Sequence, residues 1–93
     1  MLEFTISKGA NKAKILLYTL STCVWCAKTK SFLDELGVSY AYVDVDLLSG
    51  ADREEAIAEV QRWNPQMSFP TIVINETRCI SGYDPEELSE AIG

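Results

Sequence analysis

Histidine is absent from this 93-residue chain, and its absence excludes several kinds of chemistry. Ser-His and Cys-His nucleophile pairs within the chain would need an imidazole, and so would histidine-ligated metal sites. Positive charge is also scarce, because eight Lys and Arg face fourteen Asp and Glu for a net charge of −6. We therefore expect no nucleic acid or anionic membrane among its partners.

Long apolar runs are missing as well. A membrane helix needs about 20 consecutive apolar residues, and no stretch of the sequence comes near that length. Residues 1–14 show no basic segment followed by an apolar one, so we expect no export signal. The expected location is the cytoplasm, where thiols stay reduced. We expect one domain over 1–93, since domains of about 100–150 residues are typical.

Hydrophobic periodicity predicts an α/β fold with the element order β-α-β-α-β-β-α. Strands are predicted at 15–19, 39–45, 71–74 and 78–80, and helices at about 24–36, 50–62 and 85–92. The strand–helix–strand units imply a parallel pair, and the closing hairpin adds antiparallel strands. The result is a mixed four-stranded sheet with helices on both faces. Residues 1–13 are expected as an N-terminal arm or, at residues 3–6, as an extra edge strand.

Helix ends and faces have sequence signals of their own. Ser49 and Asp52 resemble a capping box before the second helix, and Asp84 is the expected N-cap of the third. Apolar spacing on the first helix predicts a single buried face made of Ala27, Phe32, Leu33 and Leu36.

Cys23 and Cys26 form a C-x-x-C pair where the first strand turns into the first helix. Positions i and i+3 on a helix lie about 5–6 Å apart, which suits a disulfide. The first helical turn offers unpaired N–H groups and the positive end of the dipole, and both favour a thiolate at Cys23. Cys26, one turn inside, is expected to be more buried and less ionised. The pattern predicts that Cys23 attacks a substrate disulfide and that Cys26 resolves the mixed disulfide.

Two structural alternatives stand beside this interpretation. The pair could be two buried cysteines without chemistry, or it could belong to a zinc site, which needs four ligands. Cys79 is the only other cysteine, and we therefore predict no metal site. Cys79 itself is expected as a small buried hydrophobe, with a regulatory thiol or an intermolecular disulfide as alternatives.

Three anchors give the chain its resemblance to a known family. They are Ile15-Leu16-Leu17-Tyr18-Thr19 leading to Cys23-Val24-Trp25-Cys26, then Ser68-Phe69-Pro70-Thr71, then Ser81-Gly82-Tyr83-Asp84-Pro85. Together they resemble glutaredoxins, close to the glutaredoxin-like hydrogen donors of ribonucleotide reductase. The resemblance covers about residues 14–92 and implies a thioredoxin-like fold.

The resemblance also implies a substrate groove. Pro70 would be cis and would face the cysteines, leaving the backbone of Phe69 free to pair with an extended substrate. Gly82, Tyr83 and Asp84 resemble the turn that holds the γ-glutamyl end of glutathione, with Asp84 also an N-cap. Trp25 is expected to be partly exposed and to stack against substrate.

The implied function is thiol–disulfide oxidoreduction without a bound cofactor. Substrates would be protein disulfides, ribonucleotide reductase among them, or glutathione mixed disulfides. Glutathione or a thioredoxin-reductase-type flavoenzyme would recharge the protein, which is expected to be a monomer. Three departures from the family pattern matter. Leu20 stands where glutaredoxins usually carry a lysine, and Val24 replaces the common proline. Asp84 stands where the hydrogen-donor branch often has a basic residue. Val24 motivates the alternative, an iron–sulfur cluster carrier.

Overall fold

The computed structural model describes residues 2–92, so Met1 and Gly93, the two ends of the expected domain, lie outside the described residues. Nine elements follow one another along the chain: β1 (Thr5–Ile6), β2 (Ile15–Thr19), α1 (Val24–Leu36), β3 (Ala41–Asp44), a 3-10 turn (Val45–Leu47), α2 (Gly50–Trp63), β4 (Thr71–Ile74), β5 (Arg78–Ser81) and α3 (Pro85–Ile92). The predicted order of strands and helices is confirmed, and one short strand precedes it.

The sheet has five strands in the order β1-β3-β2-β4-β5, one more than the four predicted. β2 and β3 run parallel, and the other three pairs are antiparallel. The added strand pairs Thr5 with Tyr42 and Ile6 with Ala41, so the segment at 3–6 is an edge strand. A two-residue strand carries no periodicity of its own, and it forms because β3 offers a free edge.

β3 is shorter than the predicted 39–45 because its first residues bond to the N-terminal arm. The Ser39 N–H donates to the Ala10 carbonyl at 2.8 Å, and the Tyr40 N–H donates to Ser7 Oγ at 3.0 Å. At its other end, Val45 leaves the sheet and opens the 3-10 turn. The arm is therefore docked on the start of β3.

The core lies on both faces of the sheet, as predicted. On one face, Leu33 of α1 and Leu88 of α3 pack against Leu17 of β2 and Ile72 of β4. The opposite face is covered by α2, whose buried residues pack against Tyr18, Val43 and Val73. This alternation follows from the period of two along each strand.

The buried face predicted for α1 is only partly right. Cys26, Thr29 and Leu33 are its buried residues, whereas Ala27 and Leu36 are exposed. The i, i+3, i+7 spacing of the three buried positions is as helical as the predicted one. Packing against the sheet selects it, and this rotation places Cys26 inside.

The predicted N-terminal caps of α2 and α3 have different outcomes in the structure. Asp84 Oδ1 accepts the Glu87 N–H at 3.0 Å, which confirms Asp84 as the N-cap of α3. Ser49 precedes α2 but its side chain makes no capping hydrogen bond, so the predicted capping box is wrong. Within residues 2–92, no helix has the length and apolarity that crossing a membrane requires.

Candidate active site

Cys23 stands at the N-cap of α1, in extended backbone conformation. Its Sγ accepts the Cys26 N–H at 3.2 Å, so one of the unpaired amides of the first turn points at the sulfur. The preceding loop is fixed by Asp46, whose carboxylate accepts the Ser21 N–H at 2.8 Å and the Ser21 hydroxyl at 2.5 Å. These bonds hold the pKa of Asp46 below its usual value. Cys23 is half-buried and therefore remains reachable.

Cys26 lies one turn further on and is 1% exposed. Burial, with the hydrogen bond to the Cys23 side chain as the second cause, raises the pKa of Cys26 to about 12. The predicted contrast between an accessible first cysteine and a buried second one is confirmed. Both are free thiols in the structure.

Three aromatic side chains, Trp25, Phe32 and Tyr83, pack beside the first turn of α1 and are called the aromatic wall. The Trp25 and Tyr83 rings stack with centroids 6.0 Å apart and an interplanar angle of 24°. Phe32 meets the Tyr83 ring edge-on at 6.3 Å, and Lys28 Nζ lies 4.9 Å from the Trp25 ring centroid. Trp25 is 54% exposed, as predicted. In the free protein its ring stacks on Tyr83.

Four of the predicted groove residues line one cavity of about 250 Å³: Trp25, Phe69, Gly82 and Tyr83. They come from the start of α1, the loop before β4 and the turn after β5. The tertiary structure thus brings together residues that the three sequence anchors carry separately. Trp25 lies between Cys23 and Cys26 in the chain, so one side of the cavity comes from the segment that carries the cysteine pair.

Pro70 lies buried at the base of this region, and the Phe69–Pro70 peptide bond is cis, as the resemblance implied. The Pro70 carbonyl accepts the Gly82 N–H at 2.8 Å and thereby joins the loop before β4 to the turn before α3. Asn64 holds the same loop from behind, donating from Nδ2 to Ser68 Oγ at 2.9 Å and to Thr71 Oγ1 at 3.3 Å.

Asp84 differs from the other predicted groove residues. Its carboxylate caps α3, and Asp84 is absent from the residues that line the cavity. The capping role is thus a property of the structure, whereas contact with a substrate ammonium remains a prediction.

Cys79 lies on β5 opposite Val73 and is half-buried rather than fully buried. Burial and the nearby Glu87 carboxylate raise the pKa of its thiol. Residues 2–92 contain no group of three or more Cys, His, Asp or Glu side chains placed to hold a metal ion. One copy of the chain offers one accessible thiol of the pair, so the iron–sulfur alternative would require ligands from outside it.

A polar cluster under α1, made of Thr19, Lys30 and Asp44, was not predicted from the sequence. Thr19 Oγ1 donates to Asp44 Oδ1 at 2.6 Å, and Lys30 Nζ lies 3.5 Å from the same oxygen. Thr19 and Asp44 are register partners at the carboxyl ends of β2 and β3. Polar residues that end two adjacent parallel strands are the signal that would have found them.

Comparison with known proteins decides the family. The glutaredoxin family model matches residues 15–79. The chain belongs to the glutaredoxin family. It is similar to the crystal structure of a glutaredoxin from Methanosarcina mazei Go1, with 47% identity, a TM-score of 0.90, and coverage of 97% of this chain and 87% of that one. It is similar as well to Methanosarcina acetivorans methanoredoxin, with 47% identity, a TM-score of 0.87, and coverage of 91% and 90%. A glutaredoxin from Ricinus communis is 31% identical over 80 residues, which are 85% of this chain and 74% of the relative.

Family membership and the fold agree. This glutaredoxin-family chain has the thioredoxin-like architecture that the resemblance implied, and its function is a redox function. The C-x-x-C pair that the family model spans is the pair at the start of α1.

Proposed function

We propose that this protein is a dithiol thiol–disulfide oxidoreductase in which Cys23 is the nucleophile and Cys26 the resolving cysteine. The observation that carries the proposal is the pairing of a half-buried sulfur at a helix N-cap with a buried thiol one turn away. The Cys26 N–H that reaches Cys23 Sγ at 3.2 Å stabilises negative charge on that sulfur. A thiolate is the form that attacks disulfides.

The reaction has two exchange steps. In the first, the Cys23 thiolate attacks one sulfur of a substrate disulfide, the substrate S–S bond breaks, and the departing sulfur takes a proton. In the second, Cys26 attacks Cys23 Sγ, the mixed disulfide breaks, and the Cys26 proton ends on the second substrate thiol. Two protein thiols are oxidised to one disulfide, and one substrate disulfide is reduced to two thiols.

The cavity that Trp25 lines suits the part of a substrate next to its disulfide. Trp25, Phe69 and Tyr83 supply apolar and aromatic surface. Val24, which is 65% exposed, lines a second cavity that shares Tyr83 with the first. Apolar surface with open backbone groups tolerates varied sequences, as in recognition by strand addition. We therefore place protein disulfides, with ribonucleotide reductase as one candidate, and glutathione mixed disulfides among the substrates.

Charge near the cavity bears on glutathione, which has two carboxylates. Leu20, where glutaredoxins usually carry a lysine, packs with the residues under α2. Lys28 lies over the Trp25 ring and is the cation nearest the aromatic wall in the described contacts. Arg62 instead pairs with Glu59 at 3.6 Å on α2. Glutathione is therefore proposed as a co-substrate that relies on backbone N–H groups and on Lys28.

The remaining parts of the proposal follow the composition. We propose a single-domain cytoplasmic monomer that exchanges disulfides without a bound cofactor. Glutathione or a thioredoxin-reductase-type flavoenzyme would return its two thiols to the reduced state.

Three cysteine variants test the mechanism in insulin reduction driven by dithiothreitol, a reductant that makes no assumption about the natural donor. Cys23→Ser should abolish catalysis. Incubated with insulin in the absence of dithiothreitol, Cys26→Ser should leave a mixed disulfide at Cys23 that mass spectrometry detects under non-reducing conditions. Cys79→Ser is the matched control and should retain full activity. Activity that survives in Cys23→Ser would refute the assignment.

A recharging comparison identifies the donor. Oxidised protein is offered glutathione with glutathione reductase, and separately thioredoxin reductase, with NADPH consumption followed in both. The system that reduces the oxidised protein at the higher rate is assigned as its electron donor. Anaerobic purification tests the iron–sulfur alternative. A coloured dimer would favour the cluster carrier, and a colourless monomer would favour the oxidoreductase.

A further inference from the structure

The resolving step has an energetic obstacle at Cys26. Burial keeps this residue a thiol, with a pKa raised to about 12, whereas attack on the mixed disulfide requires a thiolate. At pH 7 only about one in a hundred thousand such thiols is ionised. An opposite charge next to the sulfur would lower that barrier.

Lys30 is the cation of α1 whose spacing from Cys26 puts the two residues on the same side of the helix. It follows Cys26 by four residues along the chain. Its side chain turns inward, since Nζ lies 3.9 Å from the Tyr42 ring centroid and 3.5 Å from Asp44 Oδ1. It is 24% exposed, which is low for a lysine.

The partners of Lys30 are themselves fixed. Asp44 Oδ1 accepts the Thr19 hydroxyl at 2.6 Å, and Thr19 is fully buried at the end of β2. Thr19 and Asp44 are the last residues of two neighbouring parallel strands, at the end of these strands that leads into α1. Lys30 is therefore held between α1 and the sheet rather than free in solvent.

We propose that Lys30 is a positioning residue for the resolving step, its ammonium held by Asp44 and Tyr42 so that it stabilises the thiolate form of Cys26. The inference rests on the proposed dithiol function. The chemistry stays balanced: Cys26 loses its proton, its sulfur bonds to Cys23 Sγ, and the proton ends on the departing substrate sulfur. Lys30 remains protonated throughout and supplies only charge.

The other charged groups around this position do not replace Lys30. Cys23 raises the pKa of Cys26, whereas Lys30 lowers it. On the sheet, β4 has no titratable residue, and Tyr18 of β2 packs on the opposite face under α2. The acidic residues of α3, which packs on the same face as α1, are Glu86, Glu87 and Glu90, and Glu87 pairs with Arg78.

The test separates the two exchange steps by stopped-flow reaction of the reduced protein with an aromatic disulfide, dithionitrobenzoate, in a Cys79→Ser background. Attack by Cys23 releases one coloured thiolate at a rate that scales with reagent. Resolution by Cys26 releases the second at a rate independent of reagent. Lys30→Met should slow the second release about tenfold at every pH from 6 to 10, because the pKa of Cys26 lies above that range, with the first release unchanged.

Two variants control the charge. Lys30→Arg keeps the cation and should restore most of the rate, whereas Lys12→Met removes an exposed charge on the N-terminal arm and should change neither release. Lys30→Gln replaces Lys30→Met if the latter loses its cooperative thermal transition. Equal second-release rates and pH profiles in Lys30→Met and its parent would overturn the inference. So would a slowing of the second release that Lys30→Arg does not rescue, which marks a structural role.

The outcomes distinguish the inference from the function on which it rests. If the parent protein shows no reagent-independent second release, the dithiol function itself fails. If the parent shows that release and Lys30→Met matches it, the function stands and the role of Lys30 is refuted.

Discussion

Cys26, kept as the only thiol, should react with iodoacetamide far more slowly than Cys23 kept as the only thiol. The comparison uses two matched chains, Cys23→Ser with Cys79→Ser and Cys26→Ser with Cys79→Ser. Only thiolates are alkylated at a useful rate, and burial is the larger cause of the raised pKa of Cys26, so it persists after Cys23 is replaced. Labelling is followed by intact-mass measurement between pH 6 and pH 10.

The magnitude follows from the pKa. At pH 8 a thiol of pKa about 12 is about 0.01% ionised, whereas an ordinary thiol of pKa about 8.5 is about a quarter ionised. The Cys26-only chain should therefore label about a thousandfold more slowly when folded than when unfolded in urea. Because its pKa lies above the whole pH range, its rate should rise about tenfold per pH unit without a plateau.

The unfolded chains are the internal control, since both cysteines are exposed there and should label alike. A folded Cys26-only chain that labels within tenfold of its unfolded rate at pH 8 would refute the buried-thiol picture. The order of the two steps would then need another explanation.

Two further predictions concern the turn before α3 and the N-terminal arm. Asp84→Asn keeps a good N-cap but removes the charge, so the free energy of unfolding in urea should stay within about 0.5 kcal/mol of the parent while KM for a glutathione mixed disulfide rises. Asp84→Ala removes both the cap and the charge. It should raise KM in the same way and also lower the free energy of unfolding by about 1 kcal/mol. An unchanged KM in both variants would limit Asp84 to capping. Gly9→Ala would place a Cβ 2.6 Å from the Val38 carbonyl carbon and undock the arm. The arm makes four hydrogen bonds to residues 37–40. At about 1 kcal/mol each, offset by the freedom the arm regains, the expected loss is about 2 kcal/mol with insulin reduction unchanged. Full stability in Gly9→Ala would show that the arm contributes nothing.

Much of the site was accessible from the sequence because it lies in short segments with strong local signals. The C-x-x-C spacing, the strand before it and the helix after it fix Cys23 at a helix start whatever the rest of the chain does. Asp84 and Pro85 likewise predict a capped helix, which the structure confirms.

Features that depend on packing were predicted less well. The predicted buried face of α1 consists of Ala27, Phe32, Leu33 and Leu36, whereas the residues that the sheet buries are Cys26, Thr29 and Leu33. Both patterns are helical, so periodicity alone could not choose between them. The edge strand at Thr5–Ile6 exists through pairing with β3, and two residues give no local signal.

By itself, then, the sequence determined which two cysteines lie one turn apart at the start of α1 and which of them is accessible, because helix starts and spacing are local properties. The tertiary structure alone decided what surrounds them. It stacked Tyr83 on Trp25, joined Gly82 to Pro70, and set Lys30 beside Asp44. Each of these contacts joins segments distant in the chain, and their meeting depends on how helices and strands pack, which no single segment encodes.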